Sequence, residues 1–432
     1  MAYNIGLLGL GTVGAGTVDI LLNPEGRHPL LGDLNLYRVG VRDLNKPRAV
    51  KVPEDLLTTD LQAIVTDEAV DIVVELIGGL EPARSLILQA IAHGKHVVTA
   101  NKAVISRYGD EIYDAANAAG VYVMVEAAVG GGIPVINPLK QALGVNRIQS
   151  VIGIINGTTN YILSRMQQEG SDFGDVLADA QSLGYAEADP TADVDGLDAA
   201  DKIAILAALA FGGRVKREEV YCEGIRSISA ADISYAEKLG FRIKLLAIAH
   251  REASSDATQP LQIRVHPTLV PHTHPLASIN GVFNAILVEG DPIGPVMFYG
   301  QGAGAGPTAS AVTSDIINIA AILKTETEPI PHPLLSCTHQ DYCTLTPLEE
   351  LNSRFYIRLI AQDRPKVIGH LGMIFGDHGV SVESVVQIGF RGELAEIVIV
   401  THETREGNFR QALAQIKDLE AIDSVPSVIR VL

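Results

Sequence analysis

The chain has 432 residues, 47% hydrophobic and 19% charged, with a net charge of −18. That length and balance predict about three folded domains and argue against disorder, while the acidity argues against a nucleic-acid partner or an anionic membrane surface, which need clustered Lys and Arg. Three scattered cysteines, Cys222, Cys337 and Cys343, make neither a disulfide framework nor a zinc site and point to a reducing, cytoplasmic compartment.

The opening stretch MAYNIGLLGLGTVGAG is apolar without a basic region before it, so it reads as a buried strand and not as a signal peptide. Up to about residue 135 the strand-like runs NIGLLGL, NLYRVGV, DIVVELI, KHVVTA and VYVMVEA alternate with helical stretches TVGAGTVDILL, ARSLILQAIAHG and GDEIYDAANAAG. Alternation of this kind predicts βαβ units and a parallel sheet, an α/β Rossmann domain over 1–135. Over 136–302, helical spacing at 158–168, 173–183 and 196–211 is followed by strand-like FRIKLLAIAH, LQIRVHPTLV and NAILVEG, which predicts an α+β domain. The Gly-rich GAGAGPTASAV then opens a long helix over 303–324. Residues 325–350 are proline-bearing and aperiodic, as in a linker, and 351–432 read β-α-β-β-α-β, the ferredoxin-like order.

Gly9, Gly11 and Gly14 stand in G-x-G-x-x-G spacing directly after a strand and at the start of a helix. There the glycines let backbone approach a pyrophosphate, and the helix N-terminus supplies free N–H groups. The second strand ends in VGVRDLNKPR, so Arg42 comes first, followed by Asp43, Lys46 and Arg48. A base at this point suits the 2′-phosphate of NADP, while Asp43 keeps NAD open and Lys46 and Arg48 read equally well as a solvated loop. Lys102 follows the strand ending at Thr99, where open α/β sheets bind ligands.

The stretch DPTADVDGLDAADKIAIL carries Asp189, Asp193, Asp195, Asp198 and Asp201 and then Lys202. On a helix starting near Gly196, Asp198 and Lys202 share a face one turn apart. Alone this would be a surface ion pair, and Asp189 and Asp193 would be helix caps. The continuation IAILAALAFGG is too apolar for an exposed helix, so the pair is expected to line a cavity.

With these residues in place, the chain resembles the homoserine dehydrogenase family. AQSLGYAEADPTADVDGLDAADK carries the spaced Ala180, Gly184, Asp189, Pro190, Asp193, Gly196, Asp198 and Lys202 of that family's signature. TANKA, EAAVGGGIPV, INGTTNYIL and GAGAGPTASAV extend the likeness over the chain, and the C-terminal segment resembles an ACT domain. The resemblance implies NAD(P)-dependent interconversion of L-homoserine and L-aspartate 4-semialdehyde in threonine, methionine and isoleucine synthesis. It implies Lys202 as proton donor, Asp198 as its partner, and Lys102 in contact with cofactor and substrate. Glu187 and Asp193 would hold the substrate amino group, with Gly157, Thr158 and Gly184 lining the pocket. Gly9, Gly11, Thr12, Val13, Gly14, Arg42, Thr99, Lys102 and Gly302 would bind NADP, with NAD also accepted. A monovalent cation, Na+ or K+, would sit near Glu126 and the backbone of Val129, Gly131 and Ile133. The middle domain would bind substrate and mediate a homodimer or homotetramer, and helix 303–324 would complete the Rossmann domain.

The chemistry agrees with those roles: an ammonium stabilises an alkoxide and then protonates it, two lysines facing one pocket lower each other's pKa, and carboxylates suit an amine. Asp363 and the turn AQDRPKVIGHLG are expected to hold an amino-acid effector, threonine first, in an ACT domain that pairs edge to edge with a second copy and is removable without loss of turnover. Two rivals stand beside this reading. A thioester-forming semialdehyde dehydrogenase would need a cysteine in a nucleophile turn, and none of the three is so placed. A non-enzymatic amino-acid sensor with a vestigial dinucleotide domain would have no use for Lys102, Asp198 and Lys202 together.

Overall fold

The computed structural model describes residues 2–251, 259–325, 332–337, 339–391 and 394–432. They form two compact units, residues 1–151, 201–219 and 284–343 in the first, and 152–200, 220–283 and 344–432 in the second. The N-terminal 124 residues run β1 (Tyr3–Leu8), α1 (Thr12–Leu22), β2 (Leu34–Gly40), β3 (Leu57–Thr58), α2 (Leu61–Thr66), β4 (Ile72–Glu75), α3 (Ala83–Ala92), β5 (His96–Thr99), α4 (Lys102–Ala119) and β6 (Val123–Met124). The six strands form a sheet in the order β3-β2-β1-β4-β5-β6, and each neighbouring pair is parallel. The order reverses at β1, so the crevice at the strands' carboxyl ends opens between β1 and β4. Two elements, β3 and α2, escape the sequence reading because they are too short to show a period. Helix α4 begins at Lys102, not at the residue-109 glycine, because Asn101 caps it; its side chain accepts the Val104 N–H.

The middle of the chain runs β7 (Arg147–Ile154), α5 (Gly157–Glu169), α6 (Phe173–Ser182), α7 (Thr191–Val194), α8 (Leu197–Phe211), β8 (Tyr221–Cys222), α9 (Ala230–Lys238), β9 (Phe241–His250), β10 (Gln262–Pro271), β11 (Phe283–Asp291), β12 (Gly294–Gln301) and α10 (Ala305–Thr325). Within the first unit, α10 packs on α1, and Val312, Ile316 and Ile319 join Val18, Leu21, Ile5, Leu7 and Val74 in one buried core. The second unit pairs β9 with β10 antiparallel over ten residue pairs. The 325–350 segment, read as a linker, is held to the body wherever it is described. Within the first unit Leu335 is buried, Lys140 donates to its carbonyl, and Arg214 N–H donates to Asp341. Within the second, Leu261 bonds Thr344 and Thr346. The linker residues 326–331 and 338 lie outside the described residues.

The C-terminal segment runs β13 (Asn352–Gln362), α11 (Val367–Asp377), β14 (Val382–Arg391), β15 (Leu394–Thr401), β16 (Thr404–Arg405), α12 (Glu406–Lys417) and β17 (Ile422–Val431). Its sheet order is β17-β13-β15-β14, ferredoxin-like, over a core of Phe355, Ile357 and Leu359 against Val367, Leu371, Phe375, Phe409 and Ile416. The expectation of a tail standing apart is not met. β17 pairs in parallel with β10 through Thr268–Arg430 and Leu269–Val431, so the β17 edge is taken by the same chain. Charged groups are buried along this seam. Arg358 donates to Asp232 at 2.7 and 3.2 Å and to Glu396 at 2.9 Å, and Arg430 bonds Glu223 and Glu406. Sequence spacing cannot show a pairing of strands separated by some 160 positions.

Candidate functional site

In the first unit, the loop between β1 and α1 explains its glycines. Gly9 has φ +100°, closed to ordinary side chains, and a Cβ on Gly14 would lie 2.1 Å from the Gly9 carbonyl oxygen. Gly11 has open space around it and supplies no side-chain cap to α1, so the first-turn N–H groups of Thr12 and Val13 can meet an anion. Arg42, exposed just beyond β2, makes no hydrogen bond or ion pair among the described residues, whereas Arg48 is spent on the Asp43, Leu44 and Lys46 carbonyls of its own turn. Of the bases near this strand end, Arg42 is therefore available to a ligand.

A residue missed at the sequence level organises the next two strand ends. Glu75, fully buried at the end of β4, accepts the N–H groups of Ile77 at 2.9 Å and Gly78 at 3.2 Å and the Thr99 hydroxyl at 2.6 Å. The Thr99 hydroxyl is thus committed, and it also accepts the Asn101 N–H at 3.0 Å. A glutamate inside the otherwise apolar IVVELI was the available signal. Asn101 also donates to the Gly79 carbonyl at 2.7 Å, which fixes half-buried Lys102 as the first residue of α4 at the end of β5.

Glu126 is buried and accepts three backbone N–H groups, from Val135 at 2.6 Å, Ile136 at 2.8 Å and Asn137 at 2.7 Å. Burial raises its pKa against those donors. Its own N–H donates to Asp315, which burial first and Glu126 second push up to about 7. Gly131, at φ +57°, packs so closely on Gly302 that a Cβ would stand 2.3 Å from the Gly302 oxygen. Gly302 in turn abuts buried Asn284, whose amide atoms have no partner among the described residues. The carbonyls of Val129, Gly131 and Ile133 accept no backbone hydrogen bond among the described residues.

In the second unit the acidic stretch divides. Asp189 accepts the Thr191 N–H in a local turn ahead of α7, whose cap is Pro190 with no side-chain bond, so it does not cap α8, and Asp195 pairs with exposed Arg226. Asp193 and Asp198 instead converge on Asn156, whose Nδ2 donates to them at 2.7 and 2.9 Å while its Oδ1 accepts the Thr159 N–H and caps α5. Asn156 was not singled out in the sequence, although an Asn before an apolar helix is a cap signal. Thr158 donates to the Tyr185 carbonyl at 2.8 Å, and Gly157 opens α5. Gly184 has φ +77° and both it and Glu187 are exposed; the Glu187 carboxylate has no partner among the described residues. The fifth acid, Asp201, is paired with Arg107 at 3.1 Å and Arg217 at 2.6 Å within the first unit, a structural role. Along α8, Asp198 lies in the first turn and Lys202 one turn on, 6% and 8% exposed.

Family profiles match three stretches of the chain: homoserine dehydrogenase over residues 134–317, its NAD-binding domain over 9–126, and an ACT domain over 355–421. The chain is 68% identical to a homoserine dehydrogenase of Synechocystis over the whole of both proteins. It resembles the crystal structure of a homoserine dehydrogenase from Thiobacillus denitrificans with a TM-score of 0.91 at 44% identity, covering 100% of this chain and 98% of that one. A hyperthermophilic archaeal homoserine dehydrogenase in complex with NADPH is similar at 27% identity and a TM-score of 0.62 over 76% of this chain and 99% of that one.

Proposed function

The chain belongs to the homoserine dehydrogenase family, as an oxidoreductase with a Rossmann-type NAD-binding domain and an ACT domain, and we propose that it interconverts L-homoserine and L-aspartate 4-semialdehyde with NADP for threonine and methionine synthesis. The convergence of Asp193 and Asp198 on Asn156, with buried Lys202 one turn beyond on α8, carries this reading. NADP, when bound, would supply or accept the hydride at the substrate carbon. Lys202 meets the charge that develops on the substrate oxygen and transfers the proton there, and Asp198 orients the ammonium. Lys102 contacts cofactor and substrate. Glu187 and Asp193 take the substrate ammonium, Gly157, Thr158 and Gly184 shape the wall, and the α1 N-terminus with Gly9, Gly11, Thr12, Val13 and Gly14 takes the pyrophosphate, beside the backbone of Thr99 and Gly302.

Arg42 takes the 2′-phosphate, which favours NADP over NAD; its unengaged guanidinium supports this. Glu126 with the carbonyls of Val129, Gly131 and Ile133 would hold a monovalent cation, which would brace the loop against Gly302. The carbonyl oxygens of Val129, Gly131 and Ile133, which accept no backbone hydrogen bond among the described residues, fit such an ion, and among the described residues no cluster of three His, Cys, Asp or Glu side chains offers a metal site of another kind. The ACT domain senses an amino acid, threonine first, at the turn of Asp363 and the start of α11. That helix has no side-chain cap, so its N–H groups suit a carboxylate. The protein works as a cytoplasmic homo-oligomer.

Lys202→Ala tests the chemical assignment. Turnover of homoserine with NADP falls about 10²–10⁴-fold, the share of a positioned proton-transfer group, with circular dichroism unchanged. Near-normal turnover in the folded variant removes Lys202 from the reaction.

A further inference from the structure

A cavity within the first unit has no part in the reading above. It is open-mouthed, about 230 Å³, and bordered by α4, the 204–209 stretch of α8, the 213–218 loop, and Cys337, His339 and Tyr342. Its wall is mainly apolar, with Ile105 and Tyr113 from α4, Ala208 and Leu209 from α8, and Val215 beyond. Three guanidiniums, Arg107, Arg214 and Arg217, also line it, with Lys216 and the carboxylates of Asp110 and Glu218. Among the described residues Arg107 donates only through Nη1, to the Ala103 carbonyl, the Ser106 hydroxyl and Asp201. Arg214 uses Nε for the His339 carbonyl and Nη2 for Asp114. Both Arg107 and Arg214 therefore keep N–H groups that no described residue engages. Arg217 and Lys216 are paired with Asp201 and Glu219, so the two guanidiniums with N–H groups to spare, set in a mainly apolar wall, select an amphiphile of one negative charge. With four bases against two acids in the lining, an anion is favoured over a cation, and a polyphosphate would leave its oxygens against the apolar wall.

The same cavity adjoins the helices that carry both lysines. Lys102 is the first residue of α4, and Lys202 directly follows Asp201 on α8. The Arg107–Asp201 pair ties these helices together, and α4 departs from helical geometry at Tyr108 (φ −126°, ψ 15°) in the stretch that borders the cavity. A carboxylate seated on Arg107 competes with Asp201 for the guanidinium, and the break at Tyr108 gives α4 a point at which to respond.

We propose that this cavity is an effector site for a small organic monocarboxylate with an apolar body, and that its occupation loosens the Arg107–Asp201 tie and lowers turnover. The coupling rests on the assignment of Lys102 and Lys202 to the reaction; the binding does not.

The test uses the full chain saturated with NADP, which occupies the dinucleotide site. The probe is 8-anilinonaphthalene-1-sulfonate, an apolar body with one anionic group, followed by fluorescence. Saturable binding is expected, displaced by 4-methylpentanoate at least ~10-fold more tightly than by 4-methylpentylamine, the discrimination expected where two guanidiniums face the charged end. Ala208→Phe, which fills the cavity, weakens the probe at least ~10-fold and keeps turnover, since the volume is taken without touching the lysines. Should that variant fail to fold, Arg214→Gln reads the same loss through the charge. The acid lowers kcat of the parent and not of Ala208→Phe. Equal displacement by acid and amine, or unchanged probe binding in a folded Ala208→Phe, overturns the site. Selective binding with kcat unmoved overturns the coupling, and Lys202→Ala judges the lysine assignment separately.

Discussion

Replacing Arg358 with methionine tests whether the C-terminal domain is built into the second unit or merely attached to it. Arg358 is buried and spans Asp232, on α9, and Glu396, on β15. Methionine keeps much of the volume and leaves both carboxylates without their cation. Breaking a buried pair from one side costs about 3–5 kcal/mol, because a desolvated charge is left behind. Here Ser229 still donates to Asp232 through its N–H at 3.1 Å and its hydroxyl at 2.6 Å, and Tyr235 still donates to Glu396 at 2.7 Å. The loss therefore falls at the lower end, about 3 kcal/mol, or roughly 150-fold in the unfolding equilibrium. Urea unfolding followed by far-UV circular dichroism measures it, with homoserine turnover on the same samples. Truncation after residue 350 goes further. It strips β17 from β10 and leaves Asp232 and Glu223 without Arg358 and Arg430. The sequence alone led us to expect a removable tail; with this seam in view, the truncated chain is expected to lose fold and turnover together. A truncated chain with parental turnover, or Arg358→Met within about 1 kcal/mol of the parent, would show that the seam contributes little.

Arg42→Ala raises the KM for NADP while leaving that for NAD unchanged, because only NADP carries the 2′-phosphate; equal losses with both cofactors assign Arg42 a structural role. Asn156→Ala removes the amide shared by Asp193 and Asp198 together with the α5 cap, so KM for homoserine rises and stability falls by about 1 kcal/mol; an unchanged KM detaches those carboxylates from the substrate. Lys244 is buried, its ammonium meets Asn160 Oδ1 at 3.1 Å, Asn280 Oδ1 at 3.2 Å and the Ile279 carbonyl, and burial followed by the Arg242 charge lowers it to about 7. Between pH 7 and 10 the unfolded chain then binds more protons at this lysine than the folded one, so stability gains with rising pH, by about 1.4 kcal/mol per unit at most. The parent and Lys244→Met should therefore diverge in chemical denaturation between pH 7 and 9, and parallel curves would mean that the three oxygens hold the ammonium charged throughout.

Local chemistry was legible in the sequence wherever a motif is contiguous. The strand, glycine loop and helix at residues 3–22 could be read because each glycine answers a constraint within a few positions: Gly9 its φ, Gly14 the Gly9 carbonyl. The ferredoxin-like tail was legible through its order of periods, and the Asp198–Lys202 spacing through the pitch of one helix. What the five acids do was not legible, since a carboxylate's role is set by what faces it. Asn156 claims Asp193 and Asp198, while Arg226 claims Asp195 and Arg107 with Arg217 claims Asp201, from 37 and 42, 31, and 94 and 16 positions away. Nor could spacing reveal that Glu75 holds two strand ends, or that β17 closes onto β10. Those are pairings between distant segments, and only folding brings the donors and acceptors of such segments to within hydrogen-bond reach, where burial then makes each unmet partner costly.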